Sequence, residues 1–464
     1  MPPAMREGGR LVVIGGVAAG MSAASRARRL RPDIEIVVFE KGRDVSYASC
    51  LMPYFVSGEI ESRDRLIRYT ADFFRTERHI DVRTETEATA VDTTGRTVTF
   101  RGTDGAESSI SYDTLVIATG ARAAKPPLPG IDMPGVYTLR NIADGERLRE
   151  IVDTGRVRKA VIVGGGYIGL ETTEALVSRG VDVTIVEALP TLLSTYDLDM
   201  SEHIERELLD RGVVVRKETP VEGFEPRDGS DSLGYVKAGG QRLEADMALV
   251  AVGVRPVSEL AAAAGIELGQ SRAIRVDSRQ VTSVPSVLAA GDCCESRHRV
   301  TGKQVWIPLG TTANRQGKIA GENAVGGSVQ FAGVVGSHIM RVFGLEVSQT
   351  GLTETVALDQ GLDAVSNKIR ALSRSHPFPG AAPVNVKLVF DRETGRLFGG
   401  QIVGRDGGGK RIDTVAAALC AGMTVGELAD VDLSYSPPFS PVWDPVAMAA
   451  LQAKKKVGVA VRQQ

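Results

Sequence analysis

Gly164, Gly166 and Gly169 form a G-x-G-x-x-G run directly after the β-branched stretch KAVIV and at the start of the helix-competent segment Leu170–Ser178. Glycines at this spacing turn a strand sharply into a helix whose first N–H groups face an anion, which suits the pyrophosphate of a dinucleotide. Glu187, 18 residues past Gly169 at the end of VDVTIVE, can accept from ribose hydroxyls. A 2′-phosphate would be a second anion beside it, and the following ALPTLL holds no arginine, so NADH is expected over NADPH. An earlier loop varies the pattern: Gly15 and Gly20 hold the first and third positions, Val17 the middle one, with Gly16 beside it. Glu40, twenty residues beyond Gly20 at the end of IEIVVFE, matches Glu187. Two dinucleotide loops in one chain imply a bound flavin and a diffusing nicotinamide.

Ten residues past Glu40, Cys50 lies in VSYASCLMPYFVSG. A thiol beside a flavin can take electrons and attack the sulfur of a disulfide, polysulfide or persulfide. An internal dithiol would place a second cysteine five residues on, where Phe55 stands, so the disulfide partner is exogenous or comes from Cys293, Cys294 or Cys420. Adjacent cysteines such as Cys293 and Cys294 rarely bridge, and Cys420, inside AAALCAGM, reads as helix packing. No cysteine or histidine group has metal-site spacing, so no metal is expected. Asp292, after a buried-looking AAG, is a candidate hydrogen-bonding partner for a flavin.

The elements that must position these residues repeat. A β-α-β unit starts near Arg10 and again near Lys159; YDTLVIATG closes the first at Gly120 and ADMALVAVG the second at Gly253. HIDVRTETEATAVDTTGRTVTF reads as antiparallel strands added to the first unit, and SVLAAGDCCE as a strand returning to it. TTANRQGKIAGENAVGG reads as a helix stopped by Gly326 and Gly327, and from about Gly333 the pattern becomes a small antiparallel sheet followed by two helices. The expected fold is α/β: two Rossmann-type nucleotide-binding domains plus a C-terminal α+β domain. The expected segments are 1–120 and 286–328 for the flavin domain, 121–285 for the NAD domain with its linking segments, 333–453 for the third domain and 454–464 for a basic tail.

Composition narrows the class. With 464 residues and four cysteines the chain is no disulfide scaffold, and 43% hydrophobic with 24% charged residues excludes a disordered or fibrous protein. Its 55 basic and 57 acidic residues give no global attraction to nucleic acid or anionic membrane. The apolar stretch Leu11 to Ala24 is broken by four glycines or serines and is followed by arginines rather than a cleavage site, so a cytoplasmic protein is expected.

Taken together, GGVAAG, SYASC…PY, IATGA, GGGYIGLE, AVGVRP, AAGDC, TANRQGKIAGEN, PGAAPVNVKLVFD and YSPPFSPVWDP, in this order, resemble the single-cysteine FAD-dependent pyridine nucleotide-disulfide oxidoreductases. The likeness is nearest to the coenzyme A-disulfide reductases and the NADH-dependent persulfide or sulfur reductases, and it covers nearly the whole chain. It implies a glutathione-reductase-like fold, FAD bound through Gly15, Val17, Ala18, Gly20, Glu40, Lys41, Ala118, Gly120 and Asp292, and NADH bound through Gly164, Gly166, Ile168, Gly169, Glu187 and Gly253. Tyr167 resembles a ring covering the nicotinamide side of the flavin, with Glu171 the polar group next to it. Cys50 resembles the nucleophile that forms a mixed disulfide with coenzyme A, and Ser22, Arg26, Arg29, Ser46, Ser49 and Asn314 match substrate-contacting positions. The third domain resembles a dimerisation domain, which implies a homodimer with shared active sites in which Tyr435 reaches the partner's thiol; Phe378 stands where a second tyrosine is usual. Ala18 occupies the place of a histidine carried by oxygen- and peroxide-reducing relatives, which weakens that reading. A water- or peroxide-forming NADH oxidase and a slowly turning over redox sensor remain as alternatives.

Overall fold

The computed structural model describes residues 5–458. Strands Arg10–Ile14, Glu35–Phe39, Asp81–Arg83, Thr114–Ile117 and Val287–Ala289 form one sheet in which every pairing is parallel. Lys159–Val163, Asp182–Val186, Val214–Arg216, Met247–Val250 and Val136–Tyr137 form a second all-parallel sheet. Parallel strands covered on both faces have no polar side, which is why LVVI and AVIV are unbroken apolar runs, buried throughout. The strand Val287–Ala289 beside Thr114–Ile117 returns the chain to the first sheet after the second is complete. Each sheet has a three-stranded antiparallel addition, at Glu87–Ser111 and Val221–Glu244. A two-stranded ribbon, Ala121–Ala123 with Val254–Pro256, begins immediately after Gly120 and Gly253 and ties the exits of the two units together.

Helix Gly310–Ala324 lies directly on helix Ala18–Leu30. A Cβ on Gly317 would stand 2.3 Å from the Ala19 carbonyl oxygen and one on Gly321 2.2 Å from that of Ala23. Glycine one turn apart is therefore what brings the two backbones into contact and holds the start of the first loop helix against the returning segment.

The third domain is a five-stranded antiparallel sheet ordered His338–Val342, Leu345–Gly351, Leu397–Gly404, Pro383–Asp391, Ala364–Leu372. Helices Ile412–Ala421, Val425–Ala429 and Pro445–Lys454 share its core. Ile412, Val415, Ala418 and Leu419 face inward, whereas Cys420, expected as packing, is exposed at the end of its helix. The expected basic tail begins on the last helix, and its residues 459–464 lie outside the described residues. No helix among the described residues is long and apolar enough to cross a membrane.

One buried ion cluster fastens the third domain to the second unit. Lys387 Nζ, 6% exposed, lies 3.1 Å from Asp197, 3.0 Å from Asp199 and 3.1 Å from Glu354. Asp197 also accepts from Gln401 Nε2 at 2.6 Å and from the N–H groups of Glu354 and Thr355. Burial works against both charges; for Lys387 the three carboxylates outweigh it and raise the pKa, and for Asp197 the ammonium and the donated hydrogen bonds outweigh it and lower the pKa.

Lys387→Met is expected to destabilise the protein by about 3–5 kcal/mol, because it leaves Asp197 buried without its cation. Chemical denaturation followed at the third domain checks this, and a loss under 1 kcal/mol would refute it. Since the folded pKa of Asp197 is lowered and that of Lys387 raised, the cluster's contribution is complete at neutral pH. In the wild type it falls away as the pH drops below the ordinary aspartate value of 3.8.

Candidate active site

The two glycine loops are built alike. Gly15 and Gly164, with φ of +108° and +103°, make the turn after the strand. A Cβ on Gly20 would fall 1.8 Å from the Gly15 oxygen, and one on Gly169 2.2 Å from the Gly164 oxygen. In each unit the glutamate at the end of the second strand holds the loop. Glu40 accepts from Gly16 N at 2.7 Å and Gly42 N at 2.7 Å; Glu187 accepts from Gly165 N at 2.7 Å and Leu189 N at 2.9 Å. The crowded positions are Gly16, whose Cβ would meet Val45 at 2.7 Å, and Gly165, whose Cβ would meet Leu192 at 2.4 Å. At Gly166 a Cβ meets nothing within 4 Å. The protein thus admits a side chain at that place, which is why Val17 can cap the first helix without disturbing the loop.

Ala18 and Tyr167 are the first residues of their helices, and Ile168 follows. The Ala118 carbonyl packs against Gly15, while Lys41 is exposed. Asp292 is bound to the Arg140 guanidinium at 2.8 Å, and its carbonyl accepts from Trp306 Nε1 at 2.9 Å. Arg140, 152 residues away in sequence, gave no spacing signal. A glycine turn, a carboxylate that orders the loop and a helix start with no side-chain cap fit a dinucleotide at both loops.

Cys50 sits exposed in the short turn Ser49–Leu51, whose continuation Met52–Ser57 buries Met52, Pro53, Phe55 and Val56. Phe55 therefore serves as an anchor for this turn, and Arg149 stacks over its ring at 4.9 Å. All four cysteines are free; Cys293 and Cys294 are buried in the core under the first sheet. Burial and the nearby Glu171 push the Cys50 thiol up, opposed by the Ser49 hydrogen bond and Arg140. Glu171 is itself pushed up to about 7 by burial and by Glu174, with the Tyr54 hydroxyl and Arg341 opposing.

A cavity of about 470 Å³ runs from Val17 and Ala18 to Ser46–Ala48, two residues short of Cys50. Ser22, Arg29, Ser46 and Asn314 line it, with Ser22 Oγ 2.8 Å from Asn314 Oδ1. Arg26 does not line it: it is rotated toward helix Gly310–Ala324 and paired with Glu322 at 2.5 Å. Ser22, Ser25 and Arg29 are the face that the helical period presents to the cavity. Ser49 stands beside the thiol rather than in the cavity wall. The wall of Arg68, Tyr69, Phe73 and Arg78 was missed, with the basic-aromatic run RYTADFFRTER as its visible signal, as was Lys318, one turn beyond Asn314 on helix Gly310–Ala324. Tyr69 and Phe73 stack at 4.6 Å, with Arg68 over one ring and Arg78 over the other. Four cations and no carboxylate line this space. Tyr435 stands apart on the third domain, exposed in a stretch with Phe439, Val442 and Trp443. Among the described residues no cluster suits a metal ion.

The pyridine nucleotide-disulphide oxidoreductase pattern matches residues 9–317, and the pattern of that family's dimerisation domain matches residues 339–446. A Pyrococcus abyssi protein described as an NAD(P)H sulfur oxidoreductase (CoA-dependent) is 41% identical over 95% of this chain and 97% of its own length. A Methanocaldococcus jannaschii protein described as an NADH oxidase is 37% identical over 97% of this chain and 99% of its own. The solved structure of an NAD-dependent persulfide reductase from A. fulgidus superposes with a TM-score of 0.93 at 40% identity, covering 96% of this chain and 83% of that one.

Because an ionised Glu171 disfavours a second negative charge nearby, Glu171→Gln is expected to lower the Cys50 thiol pKa. The pH dependence of iodoacetamide alkylation, measured in a Cys420→Ser background, should shift to lower pH. An unmoved midpoint would mean that burial alone sets the thiol.

Proposed function

The chain belongs to the pyridine nucleotide-disulphide oxidoreductases, as an FAD-dependent enzyme carrying their dimerisation domain, and on that premise we propose that it uses NADH to reduce coenzyme A disulfide, persulfide or polysulfide through Cys50. The observation that carries this reading is the cavity beside Cys50, with its four cations, stacked aromatic pair and absence of carboxylates. Coenzyme A carries phosphates for Arg29, Arg68, Arg78 and Lys318, an adenine for the rings, and a sulfur on an arm long enough to reach beyond Ala48. The Pyrococcus and A. fulgidus proteins carry descriptions of the same kind.

FAD, when bound, accepts a hydride from NADH and delivers two electrons to a disulfide. Gly15, Val17, Ala18 and Gly20 would hold its pyrophosphate at the first helix start and Glu40 its ribose, with Lys41, Ala118, Gly120 and Asp292 as the further residues that would bind it. Gly164–Gly169 and Glu187 would hold NADH in the same way, and the carboxylate of Glu187 would repel a 2′-phosphate. Cys50 Sγ, as thiolate, attacks one sulfur of the substrate disulfide; that S–S bond breaks and one thiolate leaves. The mixed disulfide is then reduced by two electrons, freeing the second thiolate and restoring Cys50. Overall NADH, one proton and a disulfide become NAD⁺ and two thiols. Tyr435 of the partner subunit supplies a hydroxyl proton to the leaving sulfur, a donor Phe378 lacks.

Anaerobic titration with NADH followed by coenzyme A disulfide, coenzyme A persulfide, polysulfide or oxygen tests the assignment. Rapid reoxidation by the coenzyme A species is expected; rapid reoxidation by oxygen alone would establish an oxidase instead. Cys50→Ser is expected to retain FAD and take hydride from NADH while losing nearly all sulfur turnover. For the shared site, purified heterodimers of Cys50→Ser and Tyr435→Phe chains should return about half of wild-type activity per flavin. Activity no greater than either parent would exclude the crossing. The ratio of kcat/KM for NADH over NADPH should exceed about 10, the worth of one charged hydrogen bond; equal values would mean Glu187 does not meet the ribose.

A further inference from the structure

Tyr167 opens the helix that follows the second glycine loop, yet all the polar contacts of its ring lie in the seam with the third domain. Its hydroxyl is 2.5 Å from His338 Nε2 and 3.0 Å from Thr195 Oγ1, and the two rings meet edge-on with centroids 4.8 Å apart. His338 Nδ1 lies 3.0 Å from the Gly336 carbonyl, which can only accept, so the proton is on Nδ1 and Nε2 is left as the acceptor for the Tyr167 O–H. Burial lowers the His338 pKa to about 4, so the imidazole is neutral and keeps that lone pair at neutral pH. Tyr196 reaches the same nitrogen at 3.3 Å. Thr195 and Tyr196 belong to a short strap whose two ends are fixed. Leu193 N–H donates to the Gly165 carbonyl at 2.9 Å at one end, and Asp197 joins the Lys387 cluster at the other.

We infer that His338 is a positioning residue for the dinucleotide step: it holds the Tyr167 ring back in the seam between domains, clear of the path that a dinucleotide takes across Gly164–Gly169. The inference rests on the reading of that loop as the NADH site. Without that acceptor the ring is held only through the Thr195 hydroxyl and swings more readily over the loop mouth, where it competes with the nicotinamide end. The effect is confined to NADH, because neither His338 nor Tyr167 lines the cavity that leads to Cys50.

His338→Phe keeps a ring in the seam and removes the acceptor; His338→Gln offers an amide oxygen in its place. In the holoenzyme, His338→Phe should raise KM for NADH about 3- to 10-fold, the range of one neutral hydrogen bond. FAD content, kcat at saturating NADH and KM for coenzyme A disulfide should stay unchanged, and His338→Gln should recover most of the loss. Tyr167→Phe, which removes the hydroxyl bonded to both His338 and Thr195, should raise KM for NADH at least as far, and the double variant should be no worse than Tyr167→Phe. An unchanged KM for NADH in His338→Phe overturns the inference, as does a parallel rise in KM for the sulfur substrate. Should His338→Phe fail to hold FAD, an unaffected Tyr167→Phe overturns it equally. Glu187→Ala separates the two readings: if it impairs NADH binding while His338→Phe does not, only the role of His338 falls, and if neither does, the loop itself has been misassigned.

Discussion

Each nucleotide unit depends on one hydrogen bond, from the N–H of a loop glycine to a glutamate at the end of the second strand: Gly16 to Glu40 and Gly165 to Glu187, both at 2.7 Å. This bond fixes where the loop stops and the helix starts, and so where the free amide donors of the helix end point. It also explains which glycine cannot change. The donor glycine is pressed between the glutamate's strand and the following segment and has no room for a Cβ, whereas the next residue faces open space and is Val17 in one unit and Gly166 in the other. Two units that differ in motif therefore share one geometry.

That repetition made most of the fold legible. Parallel strands with both faces buried leave continuous β-branched runs, a tight strand-to-helix turn leaves glycines at fixed offsets, and the carboxylate that holds the loop stands at a strand end; all three are short-range marks in the sequence. What could not be read depends on partners far apart in the chain. Arg140 meets Asp292, Glu322 takes Arg26 out of the cavity, and His338 meets Tyr167 across a domain seam. The family resemblance put both Arg26 and Arg29 at the substrate; only the neighbouring helix Gly310–Ala324 decides which of them is spent on an ion pair. Cys420 misled for a related reason. Ala418 and Leu419 beside it pack inward, but its own position on the last turn is exposed, as are Ala417 and Ala421.

The third domain acts on the catalytic units through one strip of contacts along helix Tyr167–Ser178. Tyr167 meets His338, and Glu174 takes both Arg341 Nε at 2.8 Å and the Phe343 N–H at 2.6 Å. Tyr167, Glu171 and Glu174 are spaced at four and three residues, one face of the helix, so a single strand of the third domain addresses all of it. The Lys387 cluster sits beyond the same seam. Rigidity at this junction is therefore a property of the nucleotide site as much as of the interface domain.

Charge then divides the surroundings of Cys50 into two sides. On one, the cavity bounded by Ser46–Ala48 carries four cations and no carboxylate. On the other, Pro53, Tyr54 and Ser57 of the next helix line a groove of about 600 Å³ with Glu59, Glu171 and Glu174. Of the two guanidiniums in that groove, Arg341 is already paired with Glu59 and Glu174. A substrate bearing several phosphates is attracted to the first side and repelled from the second, so its sulfur approaches the thiol from one direction only. Desolvation and, of these carboxylates, Glu171 push the Cys50 thiol up, and Arg140 rather than the cavity's four cations opposes them. Ionisation of Cys50 is thus set by desolvation at its turn together with Glu171, Ser49 and Arg140, and the cavity's cations are left available for an anionic ligand.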